Sequence, residues 1–391
     1  MTMDFDSGIK GLIILSAGGT GGHLFPAQAL AEELVRRGYV IHLLTDERVE
    51  EYGNRFPAQQ VHIVRSATLT PGKPLKLPGQ LLKLLSGVRE ARGIIGLLEP
   101  LAVVGFGGYP SFPPLIAAMT RRIDTFIHEQ NAVVGRANKV LSHGVTSIAS
   151  SFPKIEGLPA RAQSKVRFVG NPVRDSVLSA SFKPYSAPDA NRPFRLLVFG
   201  GSQGARVFSE IVPAALLSLP QSVRKLLSVT QQVRPEDMDE VQEAYNRSGI
   251  DVELASFFYD MPERVSNAHL IIARSGASTI AELAVIGRPA ILVPLPHSLD
   301  NDQLLNARAF TTAGGGWLLE QSEFTPERLS SLVTKLRYSE RELQIASDSA
   351  KGFGRPDAAS RLADLIEEVA VDRIFQSDDA DEDLADQEHE H

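Results

Sequence analysis

The sequence predicts an α/β protein built from two doubly wound parallel-sheet domains. Three observations carry this. Short continuous apolar runs alternate with helix-period stretches along the chain, the pattern of parallel strands covered on both faces. Two of those runs lead into matching glycine-rich turns half a chain apart. A length of 391 residues suits two domains of ordinary size.

The strand-like runs are Leu12–Leu15, Val40–Leu44, Ala102–Val104, Thr125–Ile127, Leu196–Phe199, Leu270–Ala273 and Ala290–Val293. Helical stretches such as Pro26–Arg37 and Thr279–Ile286 lie between them. The first turn reads GGTGG at 18–22 and the second GGSQG at 200–204, so Gly18, Gly19, Thr20 and Gly22 fall on Gly200, Gly201, Ser202 and Gly204. Two unrelated turns would not share the hydroxyl residue as well as the glycines, so the repeat points to two similar domains. Residues 8–172 and 173–352 are assigned to them, with the Pro-, Ser- and Asn-rich stretch near 170–195 as the boundary. A last helix is expected over Asp357–Phe375, within a segment 353–376. The tail 377–391 holds eight acids and no Lys or Arg, and is expected to be disordered.

With 43% hydrophobic and 22% charged residues, a collagen-like or wholly disordered chain is excluded. The absence of Cys removes disulfides, a thiolate nucleophile and Cys-ligated metal. The net charge is −7, and without the eight acids of the tail the rest carries +1, so charge gives no reason to expect a nucleic-acid partner. The start, with Asp4 and Asp6, lacks a secretory pattern, and Glu99 and Pro100 break the best apolar run, Gly93–Leu101. A cytoplasmic protein that can still lie on a membrane is expected.

GGTGGH at 18–23 has the general form of a phosphate cradle at a helix start. It lacks the Lys of a P-loop, and Leu24 and Phe25 stand where the dinucleotide fingerprint needs glycine. Asp46 keeps a dehydrogenase reading open at this stage. His23, at the helix start, is disfavoured as a cation and is a candidate general base. GFGGYPSFPP at 105–114 and HEQN at 128–131 each follow a strand, on the edge where α/β folds bind ligands. Glu129 is a second candidate base, and His128 and Asn131 are candidates to position a hydroxyl. RSGASTIAEL at 274–283 offers Ser275, Gly276, Ser278 and Thr279 at a helix start suited to a diphosphate. Glu282, one turn on, suits ribose hydroxyls, and Arg174 supplies a cation. The Asp300-Asn301-Asp302 loop reads as a solvated turn beside Gln303, and no metal and no cofactor are expected.

GGTGGH, GFGGYPSFPP, HEQN, GNPVR at 170–174, GGSQGAR, RSGAST-x-x-E and the Gln303 loop occur in this order. Together they resemble the bacterial N-acetylglucosaminyltransferases that convert lipid I to lipid II, over residues 10–370. The resemblance implies a GT-B fold: two Rossmann-like domains facing a cleft, the C-terminal one holding UDP-GlcNAc and the N-terminal one the lipid acceptor. It implies a last helix that returns to the N-terminal domain. It implies that Arg174, Ser202 and the segment Ala277, Ser278, Thr279 to Glu282 meet the diphosphate and ribose. By the same likeness Phe258 lies against the uracil and Gln303 meets the GlcNAc hydroxyls. Thr20, Gly21, Gly22 and Asn131 line the donor sugar and acceptor side, with His23 and Glu129 as base candidates. Asp302, just before Gln303, and the acidic tail depart from the family pattern.

The implied reaction is inverting transfer of GlcNAc to the C4 hydroxyl of MurNAc in undecaprenyl-pyrophosphoryl-MurNAc-pentapeptide. The implied location is peripheral, on the cytoplasmic face of the plasma membrane, with cell-wall synthesis and division proteins as partners. Residues 71–95 combine leucines with Lys73, Lys76, Lys83, Arg89 and Arg92 against Glu90, which suits an anionic membrane surface. Three rival readings share the frame: another GT-B UDP-sugar glycolipid transferase, a UDP-GlcNAc 2-epimerase, and a non-catalytic nucleotide sensor.

Overall fold

The computed structural model describes residues 9–18, 21–47, 56–67, 77–189, 192–201, 204–246 and 248–371. Of the expected site residues, Thr20 and Ser202 lie outside these, as do residues 71–76 of the basic stretch and the acidic tail. The chain divides into two compact units. One is Met1–Gln130, Val134–Pro172 and Asp357–His391; the other is Asn131–Val133 and Val173–Pro356.

The first unit contains β1 (Gly11–Ser16), α1 (Gly21–Arg36), β2 (Tyr39–Thr45), β3 (Gln60–Ile63), α2 (Leu77–Leu98), β4 (Ala102–Gly105) and α3 (Phe112–Met119). β5 (Asp124–Glu129), α4 (Arg136–Leu141), β6 (Ser147–Ser150) and β7 (Val166–Phe168) follow. Its seven strands lie in the order β3-β2-β1-β4-β5-β6-β7, and every pairing is parallel. The order reverses at β1 and β4, the doubly wound switch point.

Alternation along each strand feeds two cores. Ile13, Leu15, Ile41, Leu43 and Val104 pack with α1 on one face. Ile14, Leu44, Val103, Ile127 and Ile148 pack with Ala91 and Ile95 of α2 and Leu115 of α3 on the other. Burial on both faces explains why these strands read as unbroken apolar runs. α1 begins five residues before the stretch read from the sequence. Gly22, whose carbonyl Pro26 cannot bond, is exposed there, so the proline costs the first turn little.

The second unit contains α5 (Asp175–Ser181), β8 (Phe194–Phe199), α6 (Arg206–Leu217), α7 (Gln221–Arg224), β9 (Leu227–Gln232), α8 (Met238–Tyr245) and β10 (Asp251–Ala255). It continues with α9 (Met261–Asn267), β11 (Leu270–Ala273), α10 (Ala277–Ile286), β12 (Ala290–Leu292), α11 (Asp302–Thr312), β13 (Gly316–Leu318), α12 (Pro326–Arg337) and α13 (Glu340–Phe353). Its six parallel strands run β10-β9-β8-β11-β12-β13, again reversing beside the first strand of the unit. The repeated strand order agrees with the half-chain echo of the glycine turns.

α14 (Ala358–Ile366) packs in the first unit. Leu362, Ala363, Leu365 and Ile366 join the core beneath α1. Arg37 ties the two helices together: it donates to Glu33 (2.8 Å), Asp364 (2.6 Å), Glu367 (2.5 Å) and the Ser360 hydroxyl (2.9 Å). Burial works against its charge, but these partners hold its pKa above the ordinary arginine value.

The amino edge of the second sheet is held by buried guanidinium groups bonded to main chain. Arg288, 2% exposed, donates to the carbonyls of Lys183, Ser266, Ile286 and Gly287. Burial lowers its pKa to about 10. His269 lies among these cations. Its Nδ1 accepts the Arg195 N–H at 3.0 Å and its ring stacks on Phe194. Burial first, then Arg195, Arg337 and Arg288, lower its pKa to about 4. The native state therefore keeps His269 neutral, while the unfolded chain protonates it near 6.5. Stability contributed by the neutral ring is complete above about pH 7 and declines as pH falls toward 4, by on the order of 3 kcal/mol for this depression from 6.5 to about 4. His269→Asn, which keeps an acceptor for Arg195, should flatten the stability–pH slope between pH 7 and 4 in urea unfolding; an unchanged slope would rule this site out as its source.

Candidate active site

In the first unit, the parallel arrangement brings the carboxyl ends of β1, β4 and β5 to one edge. The loops after β1 and β4 are locked together there. Phe106 N–H donates to the Ser16 carbonyl at 2.8 Å, and the Ser111 hydroxyl lies within hydrogen-bond distance of the carbonyls of Ser16 (2.9 Å) and Gly107 (2.8 Å), sharing its one proton between them. A Cβ on Gly18 would come within 2.2 Å of Pro110, so only glycine lets the two loops approach. Gly107 and Gly108 turn with φ of +83° and +71°, and a Cβ added at them would lie 3.4 Å and 3.5 Å from the His23 ring.

HEQN lies deeper than its polarity suggests. β5 extends through Glu129, and His128, Glu129 and Gln130 are all buried. His128 accepts the Gln130 amide at Nδ1 (3.1 Å) and donates through Nε2 to the Gly170 carbonyl (2.9 Å). Burial lowers its pKa to about 4; the Gly170 contact opposes this and His23 adds to it. His128 is thus a neutral internal brace, not a group that positions a substrate hydroxyl. Gln130 braces the Phe106 carbonyl at 2.9 Å. Glu129 Oε2 accepts from Gly135 N–H and from Asn138 Nδ2, each at 2.9 Å. Asn138 is not marked by the sequence motifs. Its one signal there is an amide on the inward side of a short helix, RANKVL, nine residues after Glu129. Gly21 and Gly22 open α1 beside His23, with Gly22 exposed.

In the second unit, the corresponding edge is built around α10. Gly276 is its extended N-cap, and a Cβ added there meets nothing within 4 Å. The first hydrogen bond of the helix runs from Ile280 N–H to the Gly276 carbonyl, so the N–H groups of its first turn point out of the helix end. Ala277, Ser278 and Thr279 are half-buried. Glu282 follows at three- and four-residue spacing from Thr279 and Ser278, and so shares their side. Arg174, the N-cap of α5, donates to Glu282 Oε1 at 3.2 Å. Burial raises the Glu282 pKa, and the charge and hydrogen bond of Arg174 pull it back. Two groups 108 residues apart in sequence, expected separately at the diphosphate and the ribose, are therefore one ion pair.

Gln303 opens α11. Its carbonyl oxygen Oε1 accepts Leu295 N–H at 3.0 Å, and its main-chain carbonyl accepts the Ser275 hydroxyl at 2.8 Å. Arg274, a second residue missed from sequence, is 8% exposed. It donates to the carbonyls of Val293 (3.0 Å) and Pro294 (2.9 Å) and to Gln321 (2.7 Å). Burial lowers its pKa to about 10. It thereby pins the loop after β12 to the loop after β11. Asn131 bonds to Asn306 within this unit.

The structure corrects the expectation for the Phe258 ring. That ring is 6% exposed and lies under the Arg264 guanidinium at 4.2 Å, with Arg264 held by Glu253 and Asp260. The exposed rings of this segment are Phe257 and Tyr259, in edge contact at 4.8 Å. Among the described residues, no three His, Asp or Glu side chains gather where they could hold a metal.

Two family models match the chain. The glycosyltransferase family 28 N-terminal domain covers residues 13–150, and the family 28 C-terminal domain covers residues 195–362. The chain is 49% identical over 367 residues to the UDP-N-acetylglucosamine--N-acetylmuramyl-(pentapeptide) pyrophosphoryl-undecaprenol N-acetylglucosamine transferase of Rhizobium rhizogenes, spanning 94% of this chain and 98% of the relative. It is 51% identical over 364 residues to the transferase of that name from Mesorhizobium japonicum, spanning 92% and 96%. Among solved structures, Acinetobacter baumannii MurG superposes with a TM-score of 0.74 at 29% identity, covering 92% of this chain and 99% of that one. The paired α/β units with their glycine-built strand ends, and identity near one half along nearly the full length, place this chain in glycosyltransferase family 28, in the family of UDP-N-acetylglucosamine--N-acetylmuramyl-(pentapeptide) pyrophosphoryl-undecaprenol N-acetylglucosamine transferases.

Proposed function

We propose that this protein transfers GlcNAc from UDP-GlcNAc to the C4 hydroxyl of MurNAc in undecaprenyl-pyrophosphoryl-MurNAc-pentapeptide, forming lipid II. The observation that supports this best is the Arg174–Glu282 pair beside the open start of α10. The α10 N–H groups and Arg174 suit a diphosphate, and Glu282 suits ribose hydroxyls. Negative charge grows on the departing diphosphate as the glycosidic bond breaks. Donors already fixed in place stabilise that charge without reorganisation. The MurNAc hydroxyl attacks the anomeric carbon from the face opposite UDP, so an α-linked donor gives a β-linked product. The transition state has oxocarbenium character, as in glycoside hydrolysis.

The attacking hydroxyl must lose its proton. His23, resting on the Gly107–Gly108 turn, and Glu129, fixed through Oε2, are the two candidates. The segment around Phe258 is assigned to the uracil and Gln303 to the sugar. Gly21, Gly22 and Asn131 are assigned to the donor sugar and acceptor side.

The acceptor is a lipid, which requires docking at a membrane. No helix among the described residues is long and apolar enough to cross one. α2 instead exposes Leu81 (53%), Leu82 (68%) and Leu85 (58%), with Lys83, Arg89 and Arg92 also exposed. Glu90, the acid of this face, is paired with Arg65 at 3.1 Å. An apolar strip with a basic rim suits an anionic bilayer surface on the cytoplasmic side.

Labelled UDP-GlcNAc incubated with a lipid I analogue should yield labelled lipid II. Release of free sugar without acceptor, or no transfer at all, would reject the assignment. His23→Ala and Glu129→Ala should each bind UDP normally in calorimetry; the one that removes the base should lower turnover by about 10²–10⁴. Natural turnover in both variants would remove both as bases. Reversing charge at Lys83 and Arg89 should weaken flotation with anionic vesicles; unchanged flotation would exclude α2 as the docking surface.

A further inference from the structure

Asn306 is completely buried, one turn along α11 from Gln303 and on the same side of the helix. Its amide makes three hydrogen bonds. Oδ1 accepts Ala132 N–H at 2.8 Å, and Nδ2 donates to the Ser275 carbonyl at 3.3 Å and to Asn131 Oδ1 at 2.9 Å.

The polarity of this set is not arbitrary. A main-chain N–H can only donate and a main-chain carbonyl can only accept. Ala132 N–H therefore requires an oxygen from Asn306 on one side, and the Ser275 carbonyl requires an N–H on the other. Asn306 has one orientation. The atom of Asn131 that meets its Nδ2 must then be an acceptor, which fixes Asn131 as well. Its Oδ1 faces Asn306 and its Nδ2 is turned away. Gln303 follows the same logic, since Leu295 N–H takes its Oε1 and leaves Nε2 as the outward group.

Resting on the functional reading above, we propose that Asn306 is a positioning residue that sets the direction of the Asn131 amide. Asn131 thereby presents N–H to the transferred sugar and receives one of its oxygens, a hydroxyl or the acetamido carbonyl. The cost of losing this orientation is specific. An amide turned end for end puts its carbonyl oxygen toward the sugar: against the acetamido carbonyl this replaces a hydrogen bond with a repulsion, and against a hydroxyl it reverses the bond and takes the hydroxyl's proton from its other partner.

The test is Asn306→Asp. The shape and the acceptor for Ala132 remain, but an oxygen now faces Asn131 Oδ1 and the Ser275 carbonyl, so Asn131 must flip to donate. The expected result is a 10- to 100-fold lower kcat/KM for transfer. UDP affinity should be unchanged, and the affinity advantage of UDP-GlcNAc over UDP should shrink. Asn131→Ala should lose a similar factor, and the double variant should be no worse than Asn131→Ala within about twofold, because both changes remove one interaction. Multiplying losses in the double variant, natural kcat/KM in Asn306→Asp, or an equal loss of UDP affinity would overturn the proposal. Should Asn306→Asp fail to fold, Asn131→Asp decides. It keeps the acceptor for Asn306 and loses the donor, and natural transfer in that variant overturns the proposal. Absence of transfer by the natural chain fails the functional reading instead. The positioning role is then judged by the affinity ratio of UDP-GlcNAc to UDP, and no such preference in the natural chain overturns it.

Discussion

A parallel strand delivers its chain into a loop whose main-chain groups have left the ladder, and in this protein buried amide and guanidinium side chains take up those groups. Arg274 holds the Val293 and Pro294 carbonyls, Asn306 holds Ala132 and Ser275, Gln130 holds Phe106, and Asn138 steadies Glu129. Each acts at the carboxyl edge of a sheet, where the candidate site residues lie. A buried polar group is tolerated only when bonded, so each such side chain accepts one geometry and imposes it on its loop. That gives loops the precision ordinarily reserved for helices and strands.

The same economy explains why the edge can be polar without being soft. His128 is kept neutral by burial and used as a spacer between Gln130 and Gly170. A charged imidazole there would meet the Gln130 amide, the Gly170 carbonyl and the Ser151 hydroxyl, and none of these is a counterion. At the opposite edge of the second sheet, Arg288 is bonded to carbonyls instead of a carboxylate. The Arg174–Glu282 pair differs from these, as a charged pair beside the start of α10.

Seven strands were legible from sequence because their apolar runs are continuous, as central positions between two helical layers require. β3, β6, β7, β9, β10 and β13 were not singled out. β3, β7, β10 and β13 are edge or short strands with little buried surface, such as Gln60–Ile63 and Asp251–Ala255. β9, LSVTQQ, interleaves polar residues that pack inward: Gln231 bonds to Tyr245 and to the Phe208 carbonyl. Hydrophobic period is blind to a polar side chain that finds a buried partner.

The sequence alone determined the class of the fold, the repeat and the family. These rest on local properties: period, glycine at strand ends and motif order. Only the tertiary structure decided what each polar side chain touches. Arg174 reaches Glu282 across 108 residues, Asn306 reaches Asn131 across 175, and Phe258 turns inward beneath Arg264 while Phe257 stays exposed. The reason is physical. Main-chain geometry is set by neighbours within a few residues, whereas the partner of a loop side chain is set by whichever distant segment the packed sheets bring against it.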